Sequence, residues 1–310
     1  MKIPVIIAHF DTAPAYLGYS LSSAAGLNSQ VILIGDKANQ HVWKNHWDAS
    51  SIEPEKYQNF MRNYVQMSDY SKKYEISFWK RMFLLEEWMK VHGSDKAFLL
   101  DSDIITFANY TADVYPLLPQ DCIAGLTTPE KQDNFFWAAS THFSYWTLEG
   151  IESFTNFCID TYTNRNNLRS LLEAKHKWHL ENCAPGGVSE MTLLYLWSKD
   201  NSRIYNFAKT LEGMASDHSI STPTNYHENE YKLRFGVKQF VFKNGIPYGY
   251  NNVLNKKIKF VCLHCQGDAK LAMKLLVSKR WRRFYFAGRL IGQTRAFLGA
   301  RKAALKQMKI

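Results

Sequence analysis

The sequence predicts an α/β protein built on a mostly parallel sheet, and three observations support this prediction. Short, wholly apolar segments alternate with helical lengths along the 310 residues, a pattern typical of parallel sheets covered by helices on both faces. Apolar residues make up 46% of the chain, which is enough to bury a sizeable core. Charged residues make up only 21%, which excludes the composition of a disordered protein.

The order of the apolar segments gives the predicted elements. Residues 4–8 and 31–35 predict two strands, and the small and apolar residues over 16–26 predict a helix between them. Apolar positions at helical spacing over 76–89 predict a helix that ends near Gly93. Further predicted elements are strands over 96–100, 122–126 and 258–263, helices over 148–162 and 191–197, irregular structure or short helices over 40–72, and loops and hairpins over 213–252.

The excess of basic residues belongs to the C-terminal part of the sequence. Eleven of the 38 Lys and Arg residues lie within residues 271–310, which contain no Asp or Glu, so residues 1–270 hold 27 basic residues (38 less 11) against 28 acidic ones. We therefore expect a globular domain over 1–270 and a basic, amphipathic, helical C-terminal tail over 271–310. A uniformly basic protein would indicate nucleic acid as a partner, and we expect none here.

Two groups of side chains favour a membrane surface as the partner of this tail. On a helix, one face would carry the basic residues Arg295, Lys302, Lys306 and Lys309. Aromatic residues among arginines, as expected at a membrane interface, come earlier, at Trp281, Phe284, Tyr285 and Phe286. A solvated terminal helix or an RNA-binding tail is the alternative interpretation of the same residues.

The sequence also bears on the compartment. No apolar run approaches the ~20 residues of a membrane-spanning helix, and the N-terminal run is too short for a signal peptide. We expect a cytoplasmic protein that is peripheral at the inner face of the membrane. The odd number of cysteines, five, fits a reducing compartment. Cys262 and Cys265 form a single C-x-x-C without the second pair of a structural zinc site, so we interpret them as buried strand residues.

The sharpest motif is a pair of carboxylates at the end of the predicted strand over 96–100. Asp101 and Asp103 are two residues apart, a spacing that presents both side chains to the same side of a strand. Ligands of open α/β sheets bind at such carboxyl ends. Paired carboxylates between apolar residues are costly unless a cation compensates them, and a divalent cation can in turn bind a diphosphate. A metal site is therefore favoured over a solvated turn.

The second motif follows the predicted strand over 258–263. His264, Gly267 and Lys270 form His-x-x-Gly-x-x-Lys. The imidazole can supply a nitrogen ligand, the glycine allows backbone approach to a phosphate, and the ammonium can neutralise it. A single histidine after a strand is usually structural, and the combined pattern is what indicates a binding site.

Together the two motifs resemble those of the GT-A nucleotide-sugar glycosyltransferases, particularly glycosyltransferase family eight and its bacterial lipopolysaccharide galactosyltransferases. The resemblance covers residues 1–270 and implies a GT-A catalytic domain, with a Rossmann-like, mostly parallel sheet and helices on both faces. It implies Mn²⁺ or Mg²⁺, and we expect Mn²⁺, which accepts an imidazole nitrogen more readily. The residues it implies are the metal ligands Asp101, Asp103 and His264 and the diphosphate ligands Gly267 and Lys270, with Asp101 also near the ribose or sugar.

The sequence departs from the family pattern in two places. Residues 271–272 are Leu-Ala where the family often has Pro-Trp, and the family's second polar motif has no clear counterpart. Glu190, after a glycine pair, is the candidate catalytic residue in that slot, either contacting sugar hydroxyls or acting as a base if the enzyme inverts. Its alternative role is to stabilise a helix N-terminus. The His-x-x-Gly-x-x-Lys motif favours retention, and the displaced acidic residue leaves inversion open.

Further candidate residues lie where this fold binds its donor. His9 and Asp11 follow the first predicted strand, where the nucleobase and ribose should sit. Lys80 and Arg81, on the helix before the D-x-D strand, are predicted to contact base or phosphate, or else to form a solvated helix face. The aromatic segment over 135–146 is either an acceptor platform or part of the core.

The predicted function is metal-dependent transfer of a sugar from a nucleotide-diphosphate sugar to a hydroxyl of a glycan or lipid-linked acceptor, such as lipopolysaccharide or capsule. One alternative is a sugar nucleotidyltransferase, which would ordinarily carry a Gly-rich basic loop after its first strand; here that stretch is His-Phe-Asp-Thr-Ala-Pro. The other is a non-catalytic membrane- or RNA-binding protein that acts through its tail. That alternative gives no reason for the two motifs to occur together.

Overall fold

A computed structural model describes residues 2–132, 135–165, 167–291 and 294 of the chain. The contacts divide the chain into two compact units, each assembled from three segments. The first unit comprises Met1–Ala13, Asn28–Asp101 and Tyr110–Phe207. The second unit comprises Pro14–Leu27, Ser102–Asn109 and the described residues from Ala208 onward.

The strands and helices are numbered in chain order. The strands are β1 (Val5–Ala8), β2 (Val31–Gly35), β3 (His46–Asp48), β4 (Met67–Ser68), β5 (Lys96–Leu100), β6 (Ile104–Thr106), β7 (Ala124–Thr127), β8 (Ser140–Thr147), β9 (Gly187–Val188), β10 (Ile204–Asn206), β11 (Met214–Ser216), β12 (Leu233–Arg234), β13 (Val237–Lys238), β14 (Phe240–Lys243), β15 (Ile246–Asn251) and β16 (Lys256–His264). The α-helices are α1 (Ala15–Ala25), α2 (Glu55–Asn63), α3 (Lys72–Val91), α4 (Leu148–Tyr162), α5 (Arg169–Glu181), α6 (Glu190–Ser198) and α7 (Met273–Val277). Short 3₁₀ turns cover Tyr115–Leu117, Gly267–Ala272 and Arg282–Phe284, and a single π turn covers Tyr110–Val114.

The first unit is built on a seven-stranded sheet in the order β10-β7-β8-β5-β1-β2-β3. Strand β1 pairs in parallel with both β2 and β5, and the edge pairs β2-β3 and β7-β10 are also parallel. Strand β8 pairs antiparallel with β5 and β7. The sheet is therefore mixed with a parallel majority, which confirms the predicted α/β class.

Both faces of this sheet are buried, as its wholly apolar strands predict. Side chains alternate along a strand, so Ala97 and Leu99 of β5 join a core cluster that includes Trp79 and Trp88 of α3. On the other side, the ring of Phe98 lies 5.3 Å from that of Tyr110, and also near the rings of Phe143 and Tyr145 of β8. The end of β5 is thus fixed from both faces, which positions the residue that follows it.

Most predicted elements of the first unit are confirmed, with small shifts of their ends. The helix predicted over 76–89 is α3, which runs longer and stops before Gly93, a residue with a positive φ of 58°. Helix α4 has the predicted bounds, and α6 starts one residue earlier than predicted. Strand β8 and helix α5 were not among the predicted elements. Because Phe143, Tyr145 and Trp146 of β8 are buried, this part of the aromatic segment belongs to the core.

The second unit contains a sheet in the order β11-β16-β15-β14, and β6 also pairs with β16. The pairs β14-β15, β15-β16 and β6-β16 are antiparallel, and the prediction of hairpins over 213–252 is confirmed by β12-β13 and β14-β15. Helices α1 and α7 contact each other and β6. Strand β16 covers the predicted strand and ends at His264, and α1 is the helix predicted between the first two strands.

The described part of the predicted tail includes residues that pack into the second unit. Met273 and Leu276 of α7, together with Tyr285, belong to its apolar core with Ile105 and Phe260. The predicted boundary at 270 between domain and tail stays a prediction, and the basic face formed by Arg295, Lys302, Lys306 and Lys309 lies outside the described residues. Over the residues that are described, every helix is too short or too polar to span a bilayer.

Candidate functional site

In the first unit, Asp101 follows β5 and is held by two contacts. Its backbone N–H donates to the carbonyl of His142, at 2.9 Å, and so extends the pairing of β5 with β8. Its carboxylate forms an ion pair with the Arg81 guanidinium of α3. Strand β5 and helix α3 thus position a carboxylate and a cation against each other at the carboxyl end of the strand.

Arg81 also contacts the candidate catalytic residue. Its Nη2 lies 2.6 Å from Thr141 Oγ1 and 3.5 Å from Glu190 Oε1. Burial would lower the pKa of Arg81, but the two carboxylates outweigh it and raise that pKa above its ordinary value. Arg81 and Glu190, which are buried, and Asp101, which is half-buried, therefore form one group of charged side chains, here called the carboxylate–arginine group. Its existence was not predicted, because Arg81 was expected only to contact the donor or solvent.

Glu190 is the first residue of α6, and a close approach of two strands fixes where that helix starts. Gly187 has a φ of +114°, and a Cβ on it would lie 2.3 Å from the carbonyl oxygen of Met67. The glycine therefore lets β9 pair with β4 two residues before the helix. Burial raises the pKa of Glu190 to about 7, with Arg81 opposing the rise and Asp101 adding to it. A carboxyl with this pKa suits proton transfer near neutral pH.

In the second unit, the pairing of β6 with β16 brings three predicted residues together. His264 pairs with Ile104, and the N–H of Cys265 donates to the carbonyl of Asp103, at 2.9 Å. Asp103 Oδ1 lies 3.3 Å from His264 Nε2, and Asp103 Oδ2 lies 3.4 Å from Lys270 Nζ. Burial alone would raise the pKa of Asp103, but His264 and Lys270 outweigh it and lower that pKa. These three residues are called the Asp–His–Lys group below.

The imidazole of His264 is oriented by the backbone. Its Nδ1 lies 2.7 Å from the carbonyl oxygen of His218, so Nδ1 carries the proton and donates it. Nε2, the other ring nitrogen, faces the Asp103 carboxylate and is the ring nitrogen that could bind a cation. Metal-ligating histidines ordinarily use such a second hydrogen bond to a carbonyl or carboxylate. A carboxylate oxygen beside this nitrogen is a donor set that fits Mn²⁺, and Asp101 precedes Asp103 by two residues in the chain.

Behind His264 lies a buried ion pair that the sequence did not reveal. Asp217 Oδ2 accepts the backbone N–H of His264 at 3.1 Å, and Asp217 Oδ1 lies 2.6 Å from Lys238 Nζ. Both side chains of this ion pair are fully buried. Lys238 also donates to Asn225 Oδ1, at 3.1 Å. These residues lie within 213–252, the stretch predicted to form loops and hairpins. Asp217 and Lys238 are 21 residues apart, and nothing in the local sequence of either residue predicts that they form an ion pair.

Gly267 and Lys270 lie on the 3₁₀ turn Gly267–Ala272, which follows β16. Gly267 has a φ of +56°, and a Cβ built on it meets nothing within 4 Å. Lys270 Nζ lies 4.9 Å from the centre of the Tyr16 ring of α1, in addition to its contact with Asp103. The open space at Gly267 fits the predicted approach of a phosphate to the backbone, and its role as a diphosphate ligand stays a prediction.

The predicted base-binding loop after β1 is organised by a residue that the sequence did not single out. Asn39 is buried, and its Nδ2 donates to the carbonyl of His9 at 2.8 Å and of Thr12 at 3.3 Å. The backbone N–H of Asp11, which has a φ of +68°, donates to the Asp36 carboxylate. This loop is therefore held in one conformation by side chains from the region after β2.

The structure does not bring all predicted donor ligands of the first unit together. Asp11 Oδ1 lies 3.3 Å from Lys73 Nζ, and the ammonium of Lys80 lies 5.6 Å from the centre of the Phe10 ring. Arg81 instead belongs to the carboxylate–arginine group. Lys80 is thus placed beside the loop after β1, where the base was predicted to bind.

The remaining candidates have simpler environments. All five cysteines are free, and Cys262 and Cys265 are buried, as the sequence indicated. In the first part of the aromatic segment, the rings of Trp137 and Tyr195 are stacked with their centres 6.4 Å apart, and Phe136 is exposed. The acceptor platform stays a prediction for these residues.

No family model and no curated protein matches this sequence. Several solved structures are similar to it. Mouse xyloside xylosyltransferase 1 has a TM-score of 0.47 and 11% identity, over 66% of this chain and 84% of that one. The bifunctional glycosyltransferase WbbM has a TM-score of 0.44 and 10% identity, over 93% of this chain and 52% of its own. The galactosyltransferase LgtC, in complex with donor and acceptor sugar analogs, has a TM-score of 0.40 and 13% identity, over 66% of this chain and 73% of its own. These structures are glycosyltransferases, the class whose motifs the two motifs of this chain resemble.

Proposed function

We propose that this chain is a metal-dependent glycosyltransferase that moves a sugar from a nucleotide-diphosphate sugar to a hydroxyl of a glycan or lipid-linked acceptor. The observation that carries the proposal is the Asp–His–Lys group. In this group the buried Asp103 carboxylate lies 3.3 Å from the His264 imidazole and 3.4 Å from the Lys270 ammonium. The imidazole is oriented by a backbone carbonyl. Such a set suits a divalent cation with a diphosphate beside it.

The proposed metal ligands are Asp101, Asp103 and His264, and the expected ion is Mn²⁺, with Mg²⁺ as the alternative. A cation bound there supplies positive charge that stabilises the leaving diphosphate. The Lys270 ammonium adds a second positive charge, and Gly267 leaves its backbone open to a phosphate oxygen. His264 keeps its proton on Nδ1, which donates to the His218 carbonyl, so Nε2 is the nitrogen available as a ligand.

In the first unit, the carboxylate–arginine group would act on the sugar. Arg81 contacts both Asp101 and Glu190, so the two carboxylates are held at fixed positions. Glu190 is proposed to contact a sugar hydroxyl in a retaining reaction, which the His-x-x-Gly-x-x-Lys motif favours. In an inverting reaction it would take the proton of the acceptor hydroxyl. The anomeric configuration of the product, measured by NMR, separates the two.

The loop after β1 is proposed to bind the base and ribose. His9 and Asp11 lie on that loop, which Asn39 holds in place, and Lys80 stands over its Phe10 ring. Asp11 already has Lys73 as a neighbour, so a ribose hydroxyl would share that carboxylate with an ammonium. The proposed acceptor side is the exposed part of the aromatic segment, and a membrane-borne acceptor would be reached through the basic tail.

The first test measures donor binding and transfer together. Thermal unfolding is followed with a panel of nucleotides and nucleotide sugars, each with and without Mn²⁺, because selective binding to the folded state raises the midpoint. We expect a rise with one nucleotide diphosphate that requires the metal. With the donor so identified, Asp103→Asn and His264→Ala should lose sugar transfer by at least about 100-fold while remaining folded.

Asp200→Asn is the matched control for the loss of a carboxylate, since Asp200 is exposed at the end of α6 and should retain full activity. Full activity of either site variant would contradict the metal assignment. Pyrophosphate release from a nucleoside triphosphate and a sugar phosphate, with no transfer from a nucleotide sugar, would instead indicate a nucleotidyltransferase.

A further inference from the structure

The second unit contains a pocket that the proposed reaction does not use. Its volume is about 500 Å³, and one wall is the turn between β14 and β15, at Asn244 and Gly245, with Phe242 beside it. Its other lining residues are all basic: Lys279, Arg280, Arg282 and Arg283. This set of residues is called the basic pocket below.

The positive charge of the basic pocket is not compensated by acidic side chains. No Asp or Glu lines it, and no Asp or Glu occurs anywhere in residues 271–310 of the sequence. Among the described residues, none of its four basic side chains forms an ion pair with a carboxylate; the nearest such pair in the sequence, Arg289 with Asp268, lies outside the pocket lining. Four cations around one concave space attract an anion of high charge density.

One of the three arginines, Arg282, holds the pocket together through hydrogen bonds of its own. Arg282 Nε donates to the carbonyl of Leu276 at 2.7 Å, and Nη1 donates to the carbonyl of Gly245. Its guanidinium also lies 5.1 Å from the centre of the Phe107 ring. Gly245 has a φ of +82°, and a Cβ there would lie 2.9 Å from Arg282 Nη1. The turn and the basic segment are therefore joined in a fixed geometry.

We propose that the basic pocket binds a phosphate group. The remaining arginines, Arg280 and Arg283, present planar forks that match two phosphate oxygens at once, and Lys279 adds a point charge. Trp281 and Phe284 lie between these residues with 48% and 38% of their surface exposed, a composition that suits the phosphate of a lipid headgroup. The same chemistry would also bind a soluble phosphate or diphosphate. These residues belong to the tail over 271–310, so the proposal rests on the proposed membrane contact of that tail and not on the sugar-transfer step.

The test compares two double variants of the full chain. Arg280→Ala with Arg283→Ala removes two charges from the pocket and spares the structural Arg282. Lys256→Ala with Lys257→Ala removes two exposed charges from β16 in the same unit, outside the pocket. Binding is measured by flotation with vesicles of phosphatidylcholine alone or mixed with phosphatidic acid, and by calorimetric titration with inorganic pyrophosphate. Thermal midpoints of both variants confirm that they are folded.

We expect the pocket variant to lose about 30-fold in affinity for vesicles that contain phosphatidic acid, and the β16 variant to lose much less. Pyrophosphate binding that depends on Arg280 and Arg283, without vesicle binding, would support the proposal with a soluble ligand as the source. Equal losses in both variants, or no loss in the pocket variant, would overturn it. Sugar transfer to a soluble acceptor should be unchanged in the pocket variant, so this outcome and a failure of the proposed reaction are distinguishable.

Discussion

The position of His264 depends on single residues that lie behind it. Its ring is held through Nδ1 by the His218 carbonyl, and its backbone by Asp217. Asp217 in turn is fixed by Lys238, with both side chains fully buried. A fully buried carboxylate and ammonium are stable only as a pair, because each alone would carry a large desolvation cost. The geometry of the proposed metal ligand therefore rests on an ion pair that touches no substrate.

This arrangement predicts the effect of Lys238→Met. The variant removes the ammonium that neutralises the buried Asp217 carboxylate, so the free energy of unfolding should fall by about 3–5 kcal/mol, measured by urea denaturation. Adding Asp217→Asn removes the orphaned charge and should recover a large part of the loss. A decrease of less than about 1 kcal/mol in the single variant would show that water or another cation reaches Asp217.

A second residue-scale prediction concerns pH. Lys175 of α5 is buried, donates to Thr192 Oγ1 at 2.9 Å, and has its pKa lowered to about 7 by desolvation. In the unfolded chain its pKa returns to about 10.4, so between these values the unfolded state binds a proton that the folded state lacks. Stability contributed by this residue should therefore rise as pH increases from about 7 to 10, by at most roughly 1.4 kcal/mol per pH unit.

The matched variant for this prediction is Lys175→Met, which keeps the length of the side chain and removes its charge. Its free energy of unfolding should exceed that of the wild type near pH 7, and the difference should shrink as pH rises. Urea denaturation at several pH values measures both. A constant difference across the range would mean that Lys175 does not change its protonation there.

At the scale of elements, alanine substitutions at two glycines are expected to change stability in opposite directions. Gly187→Ala would force a Cβ to within 2.3 Å of the Met67 carbonyl oxygen and disrupt the pairing of β4 with β9. Because α6 and Glu190 follow directly, we expect both a lower thermal midpoint and lower sugar transfer. Gly18→Ala, on α1 with nothing within 4 Å, should instead stabilise the protein by about 0.5–1 kcal/mol. Equal midpoints for the two variants would contradict this account of Gly187.

The elements also show what could be read from the sequence. Helices α3 and α4 and strands β5 and β16 could be predicted, because their apolar patterns are local and the motifs lie at the strand ends. Strand β8 could not, because its aromatic residues suit either a core strand or a sugar platform until its partners β5 and β7 are known. The ion pair of Asp217 with Lys238 could not be predicted for the same reason, because it depends on how distant strands pair.

The whole molecule gives a prediction about truncation. Removal of residues 271–310 deletes Met273, Leu276 and Tyr285 from the core of the second unit. Each such loss costs about 2–5 kcal/mol, so this variant should unfold at a much lower temperature or fail to fold. Removal of residues 295–310, which leaves these three core residues in place, is the matched control and should lower the midpoint less. A stable protein after the longer deletion would place the domain boundary at 270, as the sequence predicts.

The division of the chain was the least predictable property of the molecule. Strand β1, helix α1 and strand β2 were predicted correctly as consecutive elements, yet α1 belongs to a different unit from the two strands that flank it. Local periodicity reports which residues of α1 are buried, here Leu17 and Leu21, but it does not say against what. The partner is fixed only by contacts with β6 and α7, which come much later in the chain.

This placement of α1 has a consequence for synthesis on the ribosome. Helix α1 is translated before α7, against which it packs, and roughly 250 residues separate the two. At about 5–20 residues per second, the apolar side of α1 waits about 10–50 s for that partner. The first unit can complete its sheet once β10 emerges, but the contact of α1 with α7 in the second unit forms only after α7 is translated. The nascent chain thus carries α1 without its later partner for that interval, in which chaperones that bind exposed apolar segments can act.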